Sequence, residues 1–174
     1  ATSSEDERPE PVTLLLISDL HCNVGMAPLI TSLAEMSGAQ VVLDAGDTTI
    51  NGTSGEQYCV TTFAREIPDG VDLITAPGNH DSARRLGTLS EVLAAGGLHV
   101  RADTPRLDEP VLFTDGHGEV AVYGLPYLEP QIARHELGLP EARSHEAVVA
   151  AARESLEAAR SGADFFRREA PFLG

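Results

Sequence analysis

The 174-residue chain has no tryptophan, only two cysteines and an aromatic content of 5%. A core built without large rings must rest on Ala, Leu and Val. With 42% hydrophobic residues, a chain of this length can bury one α/β core of ordinary composition. Cys22 and Cys59 are too few for a disulfide framework, so the composition predicts a reducing, cytoplasmic setting. No apolar run approaches the roughly 20 residues that span a bilayer, and no signal-peptide pattern opens the chain, so no membrane partner is expected. Basic residues are scarce as well: 12 Lys+Arg against 27 Asp+Glu leave a net charge of -15. That balance excludes a module that binds nucleic acid by neutralising phosphates with its own surface. A phosphate-bearing substrate is compatible with it only if bound cations offset the carboxylates.

What the chain does contain is a regular alternation. Residues 1–11 are polar and acidic and are expected to be a disordered lead-in, with one domain over 12–174. Apolar runs at Val12 to Ser18, Val41 to Ala45 and Val71 to Ala76 read as strands buried on both faces of a parallel sheet. Helical spacing predicts helices over Met26 to Ser37, Glu56 to Glu66 and Ser82 to Ala95, the last stopping at Gly96-Gly97. This order implies right-handed crossovers in a mostly parallel sheet. Beyond it, Leu98 to Arg101 reads as a short strand, and Val111 to Thr114 with Val120 to Tyr123 as a hairpin. Two prolines make Leu125 to Pro130 a loop, and Ser144 to Arg160 is an Ala-rich helix with a Ser cap. Phe165 to Gly174 offers no recognisable closing element.

Polar clusters sit where the first three strands end: Asp19-Leu20-His21, Gly46-Asp47 and Gly78-Asn79-His80-Asp81. Ligands of open α/β sheets bind outside the carboxyl ends of the strands. Carboxylate oxygens and imidazole nitrogens together suit hard divalent metals such as Mn²⁺. Residues two apart on a strand point alike, which would bring Asp19 and His21 to one side. Asp47, with two oxygens, can bridge two ions, and Asn79 offers a carbonyl oxygen. His80 is placed to protonate a leaving alkoxide, with Asp81 orienting its ring. The plainer reading makes Asp19 and Asp47 helix caps and His80 a structural histidine.

Three such motifs in this order, about thirty residues apart, resemble the calcineurin-like metallophosphoesterase superfamily. The resemblance implies that Asp19 and His21 bind a first metal, that Asp47 bridges two, that Asn79 binds the second, and that His80 aids catalysis. It further implies a β-sandwich flanked by helices that hydrolyses phosphate esters, most of all phosphodiesters. Two divalent ions are implied, Mn²⁺ first, with Fe, Zn or Mg as other candidates. The family draws three more histidine ligands from its C-terminal half, two of them in a Gly-His-x-His motif that this chain lacks. The expected fold is therefore the N-terminal portion of a layered α/β sandwich, without the strands that carry those ligands and with an incomplete second site.

Residues 79 to 157, including Gly124-Leu125-Pro126-Tyr127 and Arg143-Ser144-His145-Glu146, resemble the nuclease subunit of bacterial SbcCD-type DNA exonucleases. That resemblance implies DNA ends as substrate and an ATPase partner subunit. The front of the chain resembles a different branch: Leu20 stands where that subgroup has Trp, and Thr48-Thr49 where it has an aromatic-Asp pair. A mosaic of two branches, a fragment that binds metal weakly, and a subunit completed by a partner chain remain as alternatives. His99, His135 and His145 are expected at surfaces or helix ends, and His117 in a solvated turn. A sheet edge left uncovered predicts self-association. A Cys-based enzyme has only Cys22 in its favour, a residue expected to pack under the sheet.

Overall fold

The computed structural model describes residues 10–162 and 168–169. The expected lead-in falls almost wholly outside them, as does most of the last stretch. Strands β1 (Leu14–Ile17), β2 (Val41–Asp44), β3 (Asp72–Thr75) and β4 (Leu98–Val100) form a parallel sheet in that spatial order. A hairpin of β5 (Val111–Asp115) and β6 (Gly118–Val122), extended by β7 (Arg168–Glu169), forms a second sheet. Val41, Leu43 and Ile74 of the first sheet pack on Val111, Val120 and Val122 of the second, so the two sheets share one apolar interface. This is the layered α/β arrangement expected.

The outer face of the parallel sheet is covered by α1 (Ala27–Ser37) and α2 (Gln57–Arg65), through Ile30, Ala34 and Phe63. Pro28 opens α1, and Gly38 closes it in a left-handed conformation open to glycine at no cost. Thr53 and Glu56 form a reciprocal capping box at the turn that leads into α2. A third layer joins α5 (Pro130–Glu136) and α6 (His145–Gly162) through Leu125, Leu128, Ala133, Val148, Ala152 and Leu156. Ser144 caps α6 as expected, its Oγ accepting from the Ala147 amide at 3.2 Å.

Three local readings need correction. The helix expected over 82–95 is two short ones, α3 (Ala83–Leu86) and α4 (Ser90–Ala94), because the chain reverses at Leu89 with φ 71°. Pro130 does not merely end a loop; it is the first residue of α5, where its missing N–H costs nothing. The final stretch does supply an element, β7, whose Arg168 and Glu169 pair with Val120 and Ala121. In the parallel sheet β1 is an edge strand, with Leu16 exposed. Among the described residues, no helix is long and apolar enough to cross a membrane.

Candidate metal centre

The three clusters converge at the carboxyl ends of β1, β2 and β3, and backbone hydrogen bonds stitch them together. The Asp19 amide donates to the Gly46 carbonyl (3.0 Å), His21 to Asp47 (2.9 Å) and Cys22 to Thr48 (2.8 Å). Asp19 and His21 do not share a side by strand alternation, as the sequence suggested. Both lie beyond β1, with φ 57° and 42°, and Cys22 follows at 54°. Asp47 is left-handed as well, at φ 57°. Left-handed backbone costs a non-glycine residue roughly 1–2 kcal/mol, so the surrounding structure must hold these positions.

Two glycines make the close approach feasible. A Cβ on Gly46 would lie 2.7 Å from the Ala76 carbonyl oxygen. A Cβ on Gly78 would lie 2.6 Å from the Asp47 nitrogen and overlap Asp47 Oδ1. The motif glycines are therefore contact points between the second and third loops.

Ligand atoms of Asp19, His21 and Asp47 lie within 4.8 Å of one another. One ion bonded to all three at about 2.0–2.6 Å spans such a spacing. Asp19 and Asp47 have no arginine partner among the described ion pairs, so a cation there would offset two adjacent negative charges. His21 Nδ1 meets the Thr49 carbonyl at 3.3 Å. A carbonyl only accepts, so Nδ1 is the donor there, and Nε2, 3.8 Å from Asp19 Oδ1, is the nitrogen left to bind a metal. Donor set and tautomer both fit a divalent cation.

His80 stands beside this cluster. Its ring meets that of His21 edge-on, with centroids 4.9 Å apart, and its amide donates to Asp47 Oδ1 at 2.9 Å. Its Nδ1 donates to the Ile50 carbonyl at 2.8 Å, and Nε2, at an exposed position, has no hydrogen-bond partner among the described residues. Asn79, also exposed, precedes it on the same loop.

Asp81 departs from the expected role. Its carboxylate does not orient the His80 ring but gathers the loops. It accepts from the amides of Asp47 (2.7 Å), Thr49 (2.9 Å) and Gly78 (3.0 Å) and from the Thr49 hydroxyl (2.8 Å). The orientation of His80 falls instead to Ile50, which no sequence pattern marks.

Asp44 is a further participant. Lying 5% exposed at the end of β2, it accepts from Thr48 and Thr75 hydroxyls, each at 2.8 Å, and from the Gly46 amide at 3.1 Å. A carboxylate inside an apolar run is the signal that marks it in the sequence. Burial raises its pKa above the ordinary carboxylate range, against the lowering effect of its three hydrogen bonds. The folded chain therefore holds this proton more tightly than the unfolded one. Its contribution to stability is full below the ordinary pKa and is lost as pH rises through the folded value. In Asp44→Asn that dependence should vanish. Relative to the wild type, the variant's urea midpoint should rise between pH 4 and pH 7; a difference flat with pH would contradict this.

The cysteines also differ from expectation. Cys22 and Cys59 are joined in a disulfide, with Cα atoms 5.1 Å apart. Neither is a free thiol, which removes the nucleophile of a Cys-based enzyme. Among the remaining histidines, His117 lies in the hairpin turn as expected. His99 is not a surface residue but is half-buried within β4, beside Ile74 of β3. His145 approaches the centre indirectly. Its Nε2 lies 3.3 Å from the Tyr127 hydroxyl, and the Tyr127 amide donates to the Pro77 carbonyl at 2.7 Å, just before Gly78.

No curated protein matches the chain. The calcineurin-like phosphoesterase family does, over residues 12–145, a span that includes all three ligand loops and the whole parallel sheet. The match carries the superfamily and does not single out its nuclease branch. The members of this family are hydrolases of phosphoester bonds that use divalent metals, and the chain belongs to the calcineurin-like phosphoesterase family.

Proposed function

We propose that the chain is a metal-dependent phosphodiesterase whose ions are held by Asp19, His21, Asp47 and Asn79. The observation that carries this reading is the convergence of Asp19, His21 and Asp47 within 4.8 Å beside the His80 ring. Divalent ions, Mn²⁺ by preference, would supply positive charge for the phosphoryl oxygens and lower the pKa of the attacking water. Asp19 and His21 would hold the first ion, with the Thr49 carbonyl engaging His21 Nδ1 and leaving Nε2 as the ligating nitrogen. Asp47, with its two oxygens, and Asn79 would hold a second ion. His80, held at Nδ1 by Ile50, would present Nε2 to the leaving oxygen; as the imidazolium, protonated on both nitrogens, it would give the Nε2 proton to that oxygen and be left with the Nδ1 proton held by Ile50.

Phosphodiesters are the proposed substrates, and DNA ends are the narrower version, supported by the resemblance of residues 79–157. Tyr127 and His145, with ring centroids 5.4 Å apart beside the Pro77 loop, offer a surface on which a base can stack. The disulfide supports an oxidising compartment rather than the cytoplasm.

The test is hydrolysis of bis(p-nitrophenyl) phosphate, p-nitrophenyl phosphate and a dinucleotide with Mn²⁺ present. His80→Gln should slow the dinucleotide, whose alkoxide must be protonated, by about 10²–10⁴-fold. The nitrophenyl diester, with its better leaving group, should lose far less. Equal losses on both diesters would remove His80 as the acid. Metal binding without turnover of any ester would reduce the chain to a metal-binding fold.

A further inference from the structure

The disulfide joins two elements that matter to the metal reading. Cys22 follows the ligand His21 directly, within a loop whose Asp19, His21 and Cys22 are all left-handed. Cys59 is completely buried in α2, the helix entered after the Asp47 loop. Its surroundings are Leu20, Ala27, Ile30 and Phe63, with Cys22 packed at the margin. Apart from this bond, the contacts that hold the loop among the described residues are the three amides that reach Gly46, Asp47 and Thr48, the His21 Nδ1–Thr49 carbonyl bond and the buried Leu20. Those hydrogen bonds fix the loop only against another loop. The disulfide fixes it against a helix in the core.

We propose that the Cys22–Cys59 disulfide positions His21 for metal binding, so that the affinity of the Asp19–His21–Asp47 site depends on the bond being closed. The proposal rests on the metal reading above. With the bond open, the loop is free to leave its left-handed conformation for a less strained one, and His21 Nε2 moves away from Asp19 and Asp47. Cys22 is partly exposed, so a soluble reductant can reach the bond. A phosphine would open it by giving two electrons to sulfur. Two thiols form, and the phosphine takes oxygen from water to become the phosphine oxide.

The test compares Mn²⁺ affinity by calorimetry for the oxidised chain, the phosphine-reduced chain after removal of excess reductant, and Cys22→Ala/Cys59→Ala. Amide hydrogen exchange is followed in the same samples. Affinity should fall about tenfold to a hundredfold in both open forms, as when a group orienting a metal ligand is lost. The amides of His21 and Cys22 should lose protection while those of β2 keep theirs. Leu156→Ala, in the separate core under α6, serves as the control. It should lower stability without changing Mn²⁺ affinity, which a merely stabilising disulfide would also do. Equal affinity in the open and closed forms, with His21 and Cys22 still protected, overturns this inference and leaves the metal reading intact. An oxidised chain that binds no Mn²⁺ overturns the metal reading itself.

Discussion

Asp47→Asn should lower phosphodiester turnover by about 10³-fold or more, since the several kcal/mol supplied by metal-ion charge correspond to a tenfold loss per 1.36 kcal/mol. On the proposed reading Asp47 serves both ions. Its Oδ1 already accepts the His80 amide, and an asparagine oxygen at the same position can keep that bond. The loop should therefore survive the change while the site loses a charge it needs. Without metal the variant should be at least as stable as the wild type, because it removes one of two adjacent carboxylate charges that no arginine offsets among the described ion pairs. Turnover followed beside urea denaturation separates the two effects. Lost turnover with unchanged or higher stability supports the reading, and lost turnover with a collapsed midpoint would make Asp47 a structural residue.

Asp81→Ala should behave in the opposite way. Removing the carboxylate leaves the amides of Asp47, Thr49 and Gly78 without their acceptor, while the Thr49 hydroxyl keeps the His80 carbonyl at 3.1 Å. Each stranded donor costs about 1–3 kcal/mol when fully buried. These are part-buried, so the expected loss is about 3 kcal/mol in all, or roughly 6–12 °C in Tm for a chain of this size. Metal affinity should fall with it, since the Asp47 and Gly78 loops are no longer tied. Had Asp81 only oriented His80, the same variant would keep its Tm and lose turnover alone. Thermal melts of the metal-free protein decide between the two.

The contrast between these aspartates shows where the sequence stops being legible. Strand-like apolar runs and the residues at their ends are local signals, so β1 to β4, the hairpin and the positions of Asp19, His21, Asp47, Asn79 and His80 can all be read from them. What a carboxylate accepts is not local. Asp81 sits next to His80 in the chain, yet apart from Gly78 its partners lie more than thirty residues away, across the sheet end. The same distance hides the roles of Thr49 and Ile50, whose backbone carbonyls set the two histidines. Asp19 and His21 are brought together by left-handed turns that no periodicity predicts. The Cys22–Cys59 bond closes a gap of 37 residues, and composition alone argued against it. Leu89 broke an expected helix through a backbone conformation that its side chain does not favour.

The central claim is that the loops at the ends of β1 and β2 hold a divalent ion. Anomalous diffraction from crystals soaked in Mn²⁺ tests it most directly. The account predicts a peak bonded to Asp19, His21 Nε2 and Asp47, with any second peak on the Asn79 side of Asp47. Mn²⁺ bound elsewhere, or no peak among these three side chains at saturating metal, would contradict it.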